Sequence, residues 1–505
     1  MRDISPEILG ASATDLRNRL RSRELSITEL LEATVSTIDS LNPTLNAIVT
    51  TRSDAAILEA RTADSELMHG REFRPLEGLP FTVKDVIATA DLRTTAGSRI
   101  LRFNIPRYTA TAVRRLQNAG AILIGKSNCS EFGIGNLHTA NRLFGSTRNP
   151  RDRTRTPGGS SGGDSAAVAA GLAVFGIGTD YGGSIRWPAH CTGVAGLRPT
   201  PGRIPNTGVL PHGQNYSGYL PNSSSLQCWL QTISPIARSA TDLPLLLEIM
   251  QGADGCDSNA VPLPWIDMAG VDISALRCAW FDGDGSAPVR DDVKDAVANA
   301  ARTLSSLGLH VAQARPPFFE RAAPALAALR RAEGLPDHRR IVDGHEDELT
   351  TVVRKALEEA NDAVPLNVYR ALAEDADAVR ARILEFMTDY QILILPVATV
   401  PAFTPGPNEA EAPVAVDRSS IEACCRAVTL LRAPSVVIQC GLSIEGLPIG
   451  VQIVGRPYRD AEVLSLAAML EKGLTSMSGA DPNRNRHARS SGLEIRLRRE
   501  AAPPS

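Results

Sequence analysis

The residues best suited to chemistry lie in one stretch, Gly158 to Ser184. It opens Gly158-Gly159-Ser160-Ser161-Gly162-Gly163 and closes Gly178-Thr179-Asp180-Tyr181-Gly182-Gly183-Ser184, with an apolar segment between. Serines in glycine turns suit nucleophilic attack, because glycine lets the backbone approach a substrate and exposes N–H groups where negative charge develops. Upstream, Lys84 ends the apolar run Leu79-Pro80-Phe81-Thr82-Val83. With a free pKa of about 10.4, only about one lysine in 10³ is neutral at pH 7, but burial lowers that value and makes a usable base. Lys84 reads equally as that base or as a structural ion pair with Asp85 or Asp180. Ser160 and Ser184 are 24 positions apart, and a strand–helix–strand path between them brings its ends together.

Three competing motifs are weaker. Gly120-Ala121-Ile122-Leu123-Ile124-Gly125-Lys126-Ser127 fits the phosphate-loop spacing, but its interior is strand-like where a phosphate loop needs a flexible run of N–H donors. Ser161 is the central serine of a G-x-S-x-G match, yet polar Arg151–Pro157 precedes it where a nucleophile elbow requires an apolar strand. Cys129 beside Glu131, and Cys191 after His190, have no electropositive setting that would make a thiolate and read as structural.

The elements that position these residues are an alternation of strand and helix. Residues 13–65 read as helices, with Ser26-Ile27-Thr28-Glu29 as a cap. Between 76 and 200, apolar runs at 79–83, 121–124 and 174–177 read as buried strands, and Thr111–Asn118 and Ser165–Ala170 as helices between them. Residues 201–232 read as a long loop. A helix follows at 241–250, then a strand at 276–281. Val293, Val297, Ala300, Ala301, Leu304 and Leu307 form one helical stripe stopped by Gly308. Charged amphipathic helices are expected over 316–390, then strands at 392–395, 435–438 and 449–454. The arginine-rich segment from Ser476 reads as a disordered tail.

A net charge of −3 excludes the basic surface that nucleic acid or an anionic membrane requires. The longest small-and-apolar run, Ala166–Ile177, is shorter than the ~20 residues that span a bilayer. Met1–Pro6 has no signal pattern, so the reading is cytoplasmic. The eight cysteines are scattered without metal spacing, so neither a metal nor a cofactor is expected.

Together these segments resemble the amidase signature family. Gly158–Gly163, Gly178–Arg186 and Gly196-Leu197-Arg198-Pro199-Thr200 are similar to its defining stretch, and Gly78–Asp85 to its lysine strand. Gly125–Asn128, Pro235–Ser239 and Leu447–Gly455 are similar to further family segments. The resemblance covers 76–250, returns at 434–456 and fades over 256–430. It implies an α/β fold: a single large domain over 1–475, with a central mixed β-sheet flanked by α-helices. That domain would comprise N-terminal helices (1–70), a catalytic core (76–250), a variable region (256–430) and returning strands (434–456). It also implies roles. Ser184 would be the acylated nucleophile, Ser160 the bridge after a cis peptide bond, and Lys84 the neutral base. Tyr181, Gly182, Gly183 and Ser184 would supply the oxyanion N–H groups. Ser161 would hold Lys84 by a hydrogen bond, with Asp180 and Arg186 bracing the turn.

The implied reaction is hydrolysis of a small carboxamide, with aryl amides, anilides, carbamates and ureas open to the same attack. Tyr216, Tyr219 and Trp229, in a segment longer than the usual family loop, would border the substrate; a loop folded on its own aromatics is the equal alternative. Gln231 and Ser234 stand where an acid and a glycine are expected. A homodimer is common among relatives. One alternative function is that of the amidase component in a tRNA-dependent amidotransferase, its A subunit, although Pro199-Thr200-Pro201-Gly202-Arg203 lacks a tyrosine associated with that component. Another is a nucleotide-binding protein using Gly120–Ser127.

Overall fold

In the computed structural model, residues 6–134, 137–211, 220, 225–265, 268–360, 364–408 and 417–479 are described. Tyr216, Tyr219 and the tail beyond 479 lie outside them.

Eleven strands form one mixed sheet. In chain order they are β1 (Ile48–Thr51), β2 (Pro80–Lys84), β3 (Ile122–Ser127), β4 (Phe175–Asp180), β5 (Ala195–Arg198), β6 (Thr232–Ala237), β7 (Arg277–Trp280), β8 (His310–Gln313), β9 (Ile392–Pro396), β10 (Ser435–Leu442) and β11 (Pro448–Gly455). Their order across the sheet is β1-β3-β2-β4-β6-β5-β10-β11-β9-β7-β8. Parallel pairing joins β3 to β2 and β2 to β4, placing the ends of the Lys84 and Asp180 strands side by side. The remaining central pairs, from β4 to β6 through to β11 with β9, are antiparallel.

The central strands are apolar on both faces because helices cover both. β2, β3, β4 and β11 are buried at every position. Two expected helices match closely, Thr111–Asn118 at both ends and Gly162–Ala169 within three residues. The Ser26–Glu29 capping box starts helix Ile27–Leu45. The stripe of helix Asp291–Ser306 faces the sheet, except that Leu307 falls beyond the helix and is exposed. β1, β5, β6 and β8 are additional to the strands that the sequence pattern predicts. The region expected to loop to residue 232 contains helix Leu226–Leu230 and ends as β6 begins.

A second apolar cluster stands beside the main core. Phe319 and Leu326, from helix Phe319–Glu333, pack with Ile383 of helix Leu366–Asp389 and Val428 of helix Arg418–Leu430. These helices come from the segment over which the family resemblance fades, and two of them, Phe319–Glu333 and Arg418–Leu430, contribute residues to the cleft that Ser184 lines. Among the described residues, no helix is long and apolar enough to cross a membrane.

Candidate active site

The Gly158–Ser184 stretch folds back on itself as its pattern requires. The chain leaves the first glycine cluster into helix Gly162–Ala169, returns along β4 and turns at Tyr181–Ser184 into helix Arg186–Thr192. The two turns are tied directly, with the Ser161 N–H donating to the Ser184 carbonyl at 3.2 Å. The Gly159–Ser160 peptide bond is cis.

Lys84 ends β2 and is fully buried. Its amine donates to Ser160 Oγ at 2.7 Å and to Thr179 Oγ1 at 2.9 Å. Burial outweighs the nearby carboxylates Asp164 and Asp180 and pulls the amine down to about 8. A neutral lysine keeps two N–H groups and gains a lone pair, so it can accept the Ser160 proton while still donating to Thr179.

The brace beneath the turn is an ion cluster. Asp180 receives Arg186 Nε at 3.0 Å and Arg186 Nη2 at 2.9 Å, and the Arg198 guanidinium donates to the Asp180 carbonyl at 2.7 Å. Burial alone would raise the Asp180 carboxyl, but the two arginines hold it well below the usual carboxylate range. Asp180 and Arg186 thus meet beneath the turn, with Arg198 as a third member that the sequence did not suggest.

Two expectations need correction. Ser161 does not hold Lys84: its hydroxyl donates to the Thr179 carbonyl at 3.3 Å, and the Thr179 hydroxyl holds the lysine. The signal for Thr179 is its position before Asp180 at the end of a buried strand, which sequence reasoning passed over. The second correction concerns Gly183, whose N–H donates to Asp180 Oδ1 at 3.0 Å and is thus committed within the turn. Among the described residues no acceptor stands opposite the N–H groups of Tyr181, Gly182 or Ser184. Gly183 is needed for shape instead. Its φ is +123°, and a Cβ there would lie 3.0 Å from Cys425 Cβ.

The competing motifs resolve structurally. Ile122–Ser127 is a strand, and Gly125 is required by its close approach to the Thr50 carbonyl of β1. Lys126 is buried and donates to the Ile87 carbonyl and to Thr89 Oγ1, so it cannot cradle a phosphate. Cys129 and Cys191 are buried, and burial pushes both thiols up, away from reactivity.

Ser160, Thr179, Tyr181, Gly182 and Ser184 line one cleft with a cavity volume of about 180 Å³. Apolar walls come from Val86, Phe132, Ile134 and Leu326, and polar groups from Gln227, Gln231, Arg330 and Arg426. Ser184 is half-buried, facing this space, while Ser160 is 3% exposed at its floor. Trp229 does not line the cleft: it is 43% exposed on helix Leu226–Leu230, whose Gln227 reaches the site instead. Ser234 is buried on β6, where its hydroxyl meets that of Thr232 at 2.8 Å.

A family model described as Amidase matches residues 29–464. The chain belongs to the amidase signature family. A curated relative, the A subunit of the glutamyl-tRNA(Gln) amidotransferase of Chloroflexus aurantiacus strain J-10-fl, is 34% identical over 91% of this chain and 95% of its own. One solved structure is described as a vestigial protein complex revealing the evolutionary origins of an s-triazine catabolic enzyme. It matches with a TM-score of 0.80 at 28% identity, over 92% of this chain and 98% of its own. A 6-aminohexanoate cyclic dimer hydrolase solved with its substrate matches with a TM-score of 0.78 at 27% identity, over 92% and 97% of the two chains. This amidase signature protein is an amidohydrolase with one large α/β domain.

Proposed function

We propose that the protein hydrolyses a C–N bond of a small carboxamide through an acyl-enzyme on Ser184. The observation that carries this reading is the 2.7 Å contact between Lys84 and Ser160, at the floor of the cleft that Ser184 lines. Ser184 Oγ attacks the carbonyl carbon as its proton passes to Ser160 and the Ser160 proton to neutral Lys84. The oxyanion is met by the N–H groups of Tyr181, Gly182 and Ser184. Lys84 returns its proton through Ser160 to the departing nitrogen, which leaves as ammonia or an amine. Water then attacks the ester by the same relay in reverse, releasing the acid and restoring Ser184.

A second reading concerns the amide donor and its destination. The 34% identity to the A subunit of an amidotransferase, over nearly the whole of both chains, favours glutamine as the amide and a partner as the recipient of ammonia. The curated relatives speak more for this reading than for a free-standing small-amide hydrolase. Both readings share the chemistry at Ser184.

Ammonia or amine release from simple amides, anilides, carbamates, ureas and free glutamine, measured with the purified chain, tests the two together. Turnover of simple amides by the chain alone supports the first reading. Glutamine turnover that appears only with co-purified partner chains supports the second. Absence of any Ser184-dependent turnover in both settings sinks both.

A further inference from the structure

The cleft carries more than one cation, and these are not equivalent. Arg426, beside Gly182, is neutralised by Glu422 at 2.6 Å. Arg331 also lines the cleft but is exposed to solvent. Arg330 is half-buried, lines the cleft and has no ion-pair partner among the described residues. The acid three positions along the same helix, Glu333, acts on it through space but forms no salt bridge with it, and its Oε1 accepts the Leu226 N–H. The Arg330 guanidinium instead lies 5.0 Å from the centroid of the Tyr181 ring. Stacking on an aromatic face orients a guanidinium but does not cancel its charge.

Tyr181 is the first residue of the turn that ends at Ser184. Arg330 is therefore held against the nucleophile turn by its own stacking partner while it lines the cleft. A half-buried guanidinium whose neighbouring acid makes no salt bridge to it is incompletely compensated, and an anion that enters with the substrate completes that compensation. Its planar fork matches a carboxylate, which can accept two parallel hydrogen bonds.

We propose that Arg330 receives a carboxylate carried by the substrate, so that the amides this enzyme prefers are those of acidic molecules, such as monoamides of dicarboxylic acids. The inference rests on the amide-hydrolysis reading above and holds for either amide donor considered there. Arg330 is a specificity residue, distinct from the Ser184–Ser160–Lys84 relay.

The test compares succinamic and glutaramic acids with the neutral amides butyramide and valeramide. The expected result is that wild-type kcat/KM favours the acidic pair by about tenfold or more, and that Arg330→Ala lowers this ratio by about tenfold, chiefly through KM. Protection of Ser184 from a fluorophosphonate by the same compounds reads the same ratio without requiring turnover. Arg330→Glu is expected to reverse the preference toward 4-aminobutyramide, whose ammonium replaces the carboxylate. Equal or better handling of the neutral pair by the wild type would overturn the proposal. So would an Arg330→Ala effect of the same factor on both pairs, which would mark a role confined to supporting Tyr181. Hydrolysis that survives Ser184→Ala would instead overturn the underlying reading.

Discussion

Lys84 Nζ and Ser160 Oγ lie 2.7 Å apart across a separation of 76 residues, joined at the floor of the cleft. The lysine arrives at the end of a buried parallel strand and the serine from a glycine turn on the neighbouring segment. In the proposed mechanism this contact makes the buried amine the start of a proton relay.

Ser184→Ala should lower amide hydrolysis by roughly 10⁴-fold or more while circular dichroism and thermal unfolding stay close to wild type. A fluorophosphonate should add to the peptide containing Ser184 in the wild type and leave the variant unlabelled. Label on another serine would reject the nucleophile assignment.

The pH profile should report Lys84. The relay needs the neutral amine, and burial brings its titration to about 8. The sign follows: kcat/KM rises as pH increases through that value, as the proton leaves, and flattens above it. Lys84→Met should abolish this limb together with at least about 10³-fold of the activity. A wild-type rate independent of pH between about 6 and 9 would contradict a titrating base.

Thr179 is predicted to position the lysine. Thr179→Val removes the hydroxyl that lies 2.9 Å from Lys84 Nζ while keeping the branched shape. It should lower kcat by roughly tenfold and displace the pH limb, with Thr179→Ser restoring most of the loss. An unchanged limb in the valine variant would reduce Thr179 to a packing residue.

Asp180 should govern stability more than any group that touches substrate. Asp180→Ala strands the buried charges of Arg186 and Arg198 and should cost about 3–5 kcal/mol in urea unfolding. Because the arginines depress the Asp180 carboxyl in the fold, its contribution is fully present above its ordinary value of 3.8 and is lost as pH falls toward the lower folded value. The wild type should therefore gain stability from this residue at about pH 5, and the Asp180→Ala deficit should shrink on further acidification. A deficit that grows on acidification would reverse the assignment.

Much of this is legible without the fold. Glycine spacing, an apolar run ending in lysine and a capping box are local signals, and local signals survive in sequence. The shorter strands escape because four to six residues in a polar context show no clear period. β5, Ala195–Arg198, and β6, Thr232–Ala237, lie next to each other in the sheet, but β5 is a four-residue strand just after helix Arg186–Thr192, and β6 begins where the segment that reads as loop ends. Which hydroxyl holds Lys84 is not legible either. Ser161 and Thr179 are both small hydroxyl residues near the site, and only the end geometry of β4 separates them.

What the sequence alone determined is the chemical inventory: two serine turns, a buried lysine and an acid–arginine brace, in an order that marks the amidase signature family. The tertiary structure decided how these groups divide their work and what else reaches them. It committed the Gly183 N–H to Asp180, gave the lysine contact to Thr179 and brought helix Phe319–Glu333 to the cleft, where Arg330 and Ser184 both line it. The reason is physical. Residue type and turn chemistry are encoded within a few positions, whereas a cleft wall forms where segments far apart in the chain bury their apolar faces together, and no short pattern records where they meet.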